Sequence, residues 1–211
     1  MIRLRVKCLV LCLVWGLLSG SAAADLIIFD TLTTPVEDQA NLLMPTAQTF
    51  TTPVDLAGSS RLATIEIAGP AVSGTSSLTY ALQIWKWDAA HDSYVPGAAL
   101  GESTVVTIEP GTTGIFDFSP LNIRLDASTV YGILFTDGAG NPENPRLGLT
   151  QGNDGVGAAG GTLFSQGIVP FGGNYDAAAR ITTVVPEPAS LVLGLIGCLL
   201  GHLLVAKRRR R

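Results

Sequence analysis

The sequence LTYALQIWKW at residues 78–87 is the most regular stretch of the chain, with large side chains recurring at every second position. Successive side chains of a β-strand point to opposite faces, so this alternation predicts a strand with one buried face. The residues expected to line the core are Leu78, Tyr80, Leu82 and Ile84. Trp85 and Trp87 then share the opposite face of the same strand.

Shorter stretches of the same kind lie on both sides of this strand. They cover residues 26–32, 47–52, 61–68, 104–108, 114–118, 129–136, 146–150 and 180–185. Turn-forming pairs such as Pro96-Gly97 and Asp137-Gly138 separate them, and no segment between them has the 3.6-residue period of a helix. About nine short strands predict an all-β fold, a single antiparallel β-sandwich of the jelly-roll or immunoglobulin type.

The N-terminal segment, residues 1–24, has the three parts of a secretory signal peptide. Three cations precede an apolar run at residues 8–18, and small residues at 19–24 follow it. Ala22 and Ala24 fit the pocket of signal peptidase, so we expect cleavage after Ala24. The alternative is an uncleaved N-terminal anchor, which the shortness of the apolar run disfavours.

The C-terminal segment, residues 186–211, begins with Pro186, Glu187 and Pro188, where proline prevents regular structure. Residues 189–206 carry no Asp, Glu, Lys or Arg, and as a helix they would span roughly 27 Å, about the thickness of a bilayer core. A basic tail follows, consisting of Lys207, Arg208, Arg209, Arg210 and Arg211. Such a tail stays in the cytoplasm and orients the body outward.

The body between these ends, residues 25–185, is strongly acidic. It holds five Lys or Arg against sixteen Asp or Glu, a formal charge of −11, whereas the whole chain carries −4. Binding to nucleic acid or to anionic lipid is disfavoured by that sign. Cations, neutral glycans and basic partners remain open, and the length suits one domain.

The body offers few groups for catalysis. It has no cysteine, because Cys8, Cys12 and Cys198 all lie in the end segments. Its one histidine, His91, lies in a predicted turn, and no Gly-x-Ser-x-Gly elbow is present, so neither a serine triad nor a histidine zinc site is indicated. A two-carboxylate glycosidase remains open in principle. We expect a body without catalytic activity and without a cofactor.

Two features of the body are candidate binding sites. Trp85 and Trp87, if both accessible on the outer face, would form a flat platform for sugar rings; the alternative is that they are covered. The loop at residues 137–144 is dense in oxygen ligands, and Asp137, Asn141 and Glu143 are weak candidates for calcium. The spacing is not that of an EF-hand, and Asp and Asn also favour turns, so we expect no metal.

The C-terminal features resemble the PEP-CTERM sorting signal: the tripeptide at residues 186–188, the apolar span and the basic tail. The resemblance implies processing by an exosortase, a transpeptidase-like membrane enzyme, in a Gram-negative bacterium that makes extracellular polysaccharide. The body resembles choice-of-anchor β-domains in three short motifs, FDTL at 29–32, AQTFTT at 47–52 and LDASTVY at 125–131. That resemblance implies the sandwich fold and no particular ligand.

The expected function is therefore that of an exported cell-surface or extracellular-matrix protein with a non-catalytic body. Its expected partners are signal peptidase, an exosortase-type enzyme and, through the C-terminal helix, the membrane; nucleic acid is not expected. One alternative is a carbohydrate-binding module of the extracellular polysaccharide matrix. Another is a secreted hydrolase with dispersed carboxylates.

Overall fold

The computed structural model describes residues 24–32, 36–38, 46–58, 60–69, 77–88, 90, 93–143, 148–151, 161–165 and 175–185. Within them the chain is built of antiparallel β-strands with one short 3₁₀ turn and no α-helix, which confirms the all-β prediction. Residues Asp25–Val184 form one compact unit. No helix within these described ranges is long and apolar enough to cross a membrane.

The strands follow one another from Ala24 to Val185. They are β1 (Ala24–Asp30), β2 (Val36–Asp38), β3 (Thr46–Thr51), β4 (Arg61–Ala68), β5 (Leu78–Asp88), β6 (Ser93–Glu102), β7 (Val106–Ile108), β8 (Thr113–Asp117), β9 (Val130–Thr136), β10 (Gly148–Gln151), β11 (Thr162–Ser165), β12 (Tyr175–Ala177) and β13 (Ala179–Val185). The 3₁₀ turn, Ser119–Leu121, follows β8.

These strands form three sheets. The first has the order β1-β13-β4-β8, and the second has the order β12-β10-β2. The third has the order β11-β3-β9-β5-β6, with β7 paired to the beginning of β5. β5 lies between β9 and β6 in the third sheet, so the strand that the sequence shows most clearly is an interior strand.

The core contains side chains from both of the larger sheets. Tyr80 on β5 stacks on Phe116 of β8, with ring centroids 5.4 Å apart, and meets the edge of Phe135 on β9 at 5.3 Å. Tyr80, Leu82 and Ile84 are buried, and Leu78 packs against them from the rim. The predicted core face of β5 is thus confirmed.

Polar side chains connect the sheets inside the molecule. Gln48 on β3 is buried; its Nε2 donates to Asp176 Oδ1 at 2.8 Å, and its Oε1 accepts from the Ala177 amide at 2.8 Å. These bonds join the third sheet to β12 of the second. A buried amide with both ends bonded fixes the relative position of its neighbours, because an unmade bond would be costly.

An ion-paired arginine joins three strands of the first sheet. Arg180 on β13 lies 3.1 Å from Asp30 on β1 and 3.7 Å from Glu66 on β4. The side chain of Arg180 is 30% exposed, and those of Asp30 and Glu66 are 23% and 24% exposed. Cross-strand pairs of opposite charge favour this strand order.

Strand β6 corrects one prediction made from the sequence. Residues 93–102 are a strand, although the pair Pro96-Gly97 predicts a turn. Trp85 of β5 pairs with Ala99 of β6, and Trp87 pairs with Tyr94. Between these two pairs β6 has more residues than β5, so β6 contains extra residues at this point. Gly97 has a φ of 74°, and the turn signal therefore marks an irregularity within the strand. The short strands β2, β11 and β12 were also not predicted.

Candidate functional site

The outer face of the third sheet carries the two tryptophans of β5. Trp85 pairs with Gly132 of β9 on one side and with Ala99 of β6 on the other. Trp87 pairs with Tyr94 of β6. Directly paired residues share a face, so the indoles stand opposite the core residues of the same strand.

The two indoles differ in exposure. Trp87 is buried, with 9% of its surface exposed, and forms a small apolar cluster with Ala47 and Leu134. Trp85 is half-buried and packs on the edge of that cluster. The prediction that both are accessible therefore holds for Trp85 only.

Gly132 explains why Trp87 is buried. A Cβ atom placed on Gly132 would lie 2.7 Å from Cε3 of the Trp87 ring, so the indole occupies the space that a side chain would fill. An aromatic ring that covers a glycine on the neighbouring strand is a known way to complete a sheet face. Trp87 is thus a structural residue.

Trp85 is held by a neighbour on its own strand. Its Nε1 donates to Gln83 Oε1 at 2.7 Å, which turns the nitrogen edge of the indole along β5, away from Trp87. Gln83 is half-buried and pairs with Glu102 of β6. Glu102 in turn accepts a hydrogen bond from the buried Thr136 hydroxyl on β9.

Together these side chains form a patch that we call the Trp85 patch, consisting of Gln83, Trp85, Ala99 and Glu102. Its members lie on one face of β5 and β6, and each reaches the surface. The patch combines one oriented aromatic ring, an amide and an anchored carboxylate. In general, an indole beside polar side chains is suited to ligands that have both an apolar face and hydroxyl groups.

The acidic loop after β9 is a self-contained turn. Asp137 Oδ1 accepts from the amides of Ala139 at 2.7 Å and Asn141 at 3.1 Å, and its Oδ2 accepts from the Asn141 side chain at 2.7 Å. Bonding to the side chain of Asn141, and then to backbone amides, lowers the pKa of Asp137. Gly138 and Gly140 have φ values of 83° and 82°, which suit glycine in a tight turn.

These bonds show what the loop oxygens do. Both carboxylate oxygens of Asp137 hold the turn, which agrees with the turn-forming alternative given by the sequence. Within the part of the chain that the structure describes, no group of three or more His, Cys, Asp or Glu side chains is arranged to hold a metal ion.

A second polar feature lies at the start of β9. The hydroxyl of Tyr131 accepts from the backbone amide of Asp126 at 2.8 Å, five residues upstream. Lys86 of β5 pairs with the Asp126 carboxylate at 2.9 Å, and this bond raises the pKa of Lys86. Burial raises the pKa of Tyr131. The side chains of Lys86 and Asp126 are exposed, so the feature ties β5, β9 and the preceding loop together at the surface.

Comparisons with known proteins add nothing to this geometry. No protein-family model, no curated protein and no solved structure matches the chain.

Several predicted site residues lie outside the described residues. They are Ala22, Pro186, Glu187, Pro188, Lys207, Arg208, Arg209, Arg210 and Arg211, and His91, for which the sequence indicated no site, lies outside them too. Ala24, at the expected signal-peptidase site, is the first residue of β1 and is exposed.

No direct sign of the polar members of the Trp85 patch is present in the sequence. Glu102 comes from β6, which was not predicted, and it approaches Gln83 only through strand pairing. Gln83 lies two positions before Trp85, so in a strand the two side chains lie on the same face. This spacing was the one feature of the sequence that could have pointed to Gln83.

Proposed function

We propose that this chain is an exported cell-surface or extracellular-matrix protein that a PEP-CTERM-like C-terminal signal sorts. Its body is a non-catalytic β-sandwich that stands outside the cytoplasmic membrane. Signal peptidase and an exosortase-type enzyme process its two ends, and the segment at residues 189–206 holds it in the membrane at least until then.

The limits of the folded body are the observation that carries this proposal. Strand β1 begins at Ala24 and strand β13 ends at Val185. The expected signal-peptidase cleavage falls after Ala24, and Pro186 directly follows Val185. The compact unit Asp25–Val184 lies between the two expected cuts, so removal of both ends would leave it whole.

The sandwich assignment rests on the shared core. Tyr80 of the third sheet and Phe116 of the first stack against each other, as facing sheets of a sandwich do. The bond from the Asp126 amide to the Tyr131 hydroxyl has the form of a tyrosine corner. That feature is typical of immunoglobulin-like sandwiches and favours them over a jelly roll.

The experiment is the intact mass of the mature protein in a Gram-negative host that contains an exosortase. We expect a product that begins at Asp25 and lacks residues 208–211. Replacing Pro186, Glu187 and Pro188 by alanine should leave a longer, membrane-bound form.

Pro142-Glu143 offers a matched control, because it is a second Pro-Glu pair and lies in an exposed part of the body. Alanine at these two positions should leave processing unchanged. A mature protein that still carries Arg208–Arg211 would contradict the sorting proposal and identify an ordinary single-pass anchor.

A second candidate function is a carbohydrate-binding module in the same location. The observation that favours it is the half-buried Trp85, whose indole is oriented by Gln83 on a face that also carries Glu102. This candidate leaves the sorting proposal unchanged, since both place the body outside the cell.

A further inference from the structure

We infer that Arg61 and Arg124, which we call the arginine pair, form a binding site for one oxyanion group, a carboxylate or a phosphate. The inference does not depend on the proposed function, because it rests on the geometry and charge of the described residues. It places an anion site on a body that carries a formal charge of −11.

The two arginines face each other across neighbouring segments of the chain. Arg61 is the first residue of β4 and forms an antiparallel bridge with Arg124. The amides of Leu62 and Leu125 donate across the two segments on either side of this bridge, at 2.9 Å and 3.3 Å. A pair that is flanked by such bonds is of the non-hydrogen-bonded type, in which the Cα atoms are only about 4.5 Å apart. The two side chains therefore start from the closest spacing that antiparallel segments offer.

Both side chains leave the backbone on the side away from the core. Ile123 and Leu125, the neighbours of Arg124, are buried, whereas Arg124 is exposed. Leu62, the neighbour of Arg61 on β4, is also buried, and Arg61 is half-buried. Neighbouring residues of an extended chain alternate between faces, so the arginine pair lies on the outer face.

Neither member of the arginine pair has a carboxylate partner among the described residues. The other cations that the structure describes in the body, Lys86 and Arg180, each bind a carboxylate, at 2.9 Å and 3.1 Å. The Nε atom of Arg61 is shielded from water and has no hydrogen-bond partner in the described part of the chain. A donor without an acceptor is unfavourable, and so are like charges in direct opposition. A bound oxyanion supplies both the acceptor and the negative charge.

A shortage of acidic side chains does not explain the unpaired arginines, because the body holds sixteen carboxylates against five cations. The carboxylates closest to the pair along the chain are engaged elsewhere. Asp126 is bound to Lys86, and Glu66 lies 3.7 Å from Arg180. The positive charge of the arginine pair is therefore left for a group from outside the described residues.

The chemistry of the guanidinium group selects the ligand. Its planar set of N–H donors matches the paired oxygens of a carboxylate or a phosphate. Two such groups side by side can hold one oxyanion between them. A long polyanion is a poorer ligand, because its further charges would meet the acidic surface of the body. The site therefore suits a single oxyanion group.

Two sources can supply such a group. One is a small anion from solution. The other is the carboxylate of Glu187, since Val184 pairs with Arg61 on the side opposite Arg124, and Glu187 follows Val184 by three positions. Three residues extend over about 10 Å at most, so the length of the chain allows this contact. Both sources place the same chemistry on the arginine pair.

The test is titration of the full-length chain, in an uncharged detergent, with inorganic phosphate at constant physiological ionic strength. Heteronuclear NMR of the arginine Nε–H groups reports binding at each arginine separately. We expect saturable shifts of the Arg61 and Arg124 signals and no shift of the Arg180 signal, because Arg180 is already ion-paired. Long-chain polyphosphate at the same phosphate concentration should bind more weakly.

Variants assign the binding to the arginine pair. Arg124→Gln and Arg61→Gln should each weaken phosphate binding at least ~10-fold, since a hydrogen bond to a charged group contributes about that factor or more. Arg180→Gln is the matched control, because it removes the same charge from the same sheet. Arg180 lies four residues from Val184 along β13, roughly 13 Å, which exceeds the screening length of about 8 Å. It should bind phosphate within about two-fold of the unaltered chain.

Glu187→Gln identifies the source of the oxyanion. If Glu187 occupies the arginine pair, this variant should bind phosphate more tightly than the unaltered chain does. If the pair takes small anions from solution, the two chains should bind phosphate equally. Either outcome supports the site.

Circular dichroism of each variant confirms that the fold is intact. The inference would be overturned if neither the unaltered chain nor Glu187→Gln bound phosphate, or if Arg124→Gln and Arg61→Gln bound it as tightly as the unaltered chain does. Tighter binding of polyphosphate than of phosphate would also overturn it, because the site would then select polyanions.

Discussion

Trp87 lies over Gly132 so closely that a Cβ atom on the glycine would stand 2.7 Å from Cε3 of the indole. The two residues lie on neighbouring strands, β5 and β9, and 45 positions separate them in the chain. The contact buries Trp87 and leaves Trp85 as the more accessible indole of the pair.

We predict that Gly132→Ala destabilises the protein by about 1–3 kcal/mol, because the new methyl group must displace a packed indole. The measurement is the free energy of unfolding in urea, followed by tryptophan fluorescence. Gly58→Ala is the matched control, since nothing lies within 4 Å of a Cβ atom there, and it should change stability by less than about 0.5 kcal/mol. Equal effects of the two substitutions would contradict the packing explanation.

Two buried tyrosines should respond in opposite ways to loss of the hydroxyl. Tyr131→Phe removes the acceptor of the Asp126 amide and should cost about 1–2 kcal/mol. The hydroxyl of Tyr80 is buried with no hydrogen-bond partner among the described residues, so Tyr80→Phe should be neutral or stabilising by up to about 1 kcal/mol. Urea unfolding of both variants tests this, and a similar loss in each would be evidence against it.

Alkaline pH should weaken the fold through Tyr80. Burial raises the pKa of its phenol above the ordinary value of 10.0, so the folded state keeps a proton that the unfolded chain releases. The stability is complete below about pH 10 and then falls by about 1.4 kcal/mol per pH unit for one such group. Tyr80→Phe should reduce that slope between about pH 10 and 11.5.

In Tyr80→Phe the loss of stability per pH unit should become smaller but should not disappear. The pKa values of Lys86 and Tyr131 are also raised, and their contributions are lost in the same direction as the pH rises. Unfolding midpoints measured across this pH range provide the comparison. An identical slope with and without the Tyr80 hydroxyl would mean that Tyr80 is ionised as readily in the folded state as in the unfolded chain.

The all-β class and the core face of β5 could be predicted because strand periodicity is local. Strand β6 could not, since Pro96 and Gly97 near its centre signal a turn, whereas in the structure they form an irregularity within a strand that is paired with β5. Strand β12, with three residues, is too short for its alternation to stand out.

Only part of the candidate site could be predicted from the sequence, for a similar reason. The two-residue spacing predicts that Trp85 and Trp87 lie on one face of the strand. Their different burial depends on Gly132, which is on a neighbouring strand but far away in the sequence. The approach of Glu102 to Gln83 depends on the register between β5 and β6. Neither relationship follows from spacing along the chain.

Asp137 should stabilise its turn without metal. Its carboxylate accepts from two backbone amides and from the side chain of Asn141, and Asp137→Ala removes all three bonds. We expect a lower melting temperature for this variant and the same melting temperature for the unaltered protein in calcium and in EDTA. Asp55→Ala, at another exposed acidic turn position, serves as the control. A rise in melting temperature with calcium that Asp137→Ala abolishes would show a metal site instead.

Finally, we predict that residues 25–185 fold without either end segment. The fragment contains no cysteine, so its stability should not change with reductant. Strand β1 at its start pairs with β13 at its end, and Thr31 closes that contact: its hydroxyl donates to the Ala177 carbonyl at 2.8 Å and accepts from the Ala179 amide at 2.8 Å.

A shorter fragment, residues 33–185, loses this strand together with the buried Phe29 and is the informative control. We expect a β-type circular dichroism spectrum and cooperative unfolding for the first fragment and loss of both for the second. A helical or unfolded spectrum for residues 25–185 would show that the body depends on its ends, and equal stability of the two fragments would show that β1 is dispensable.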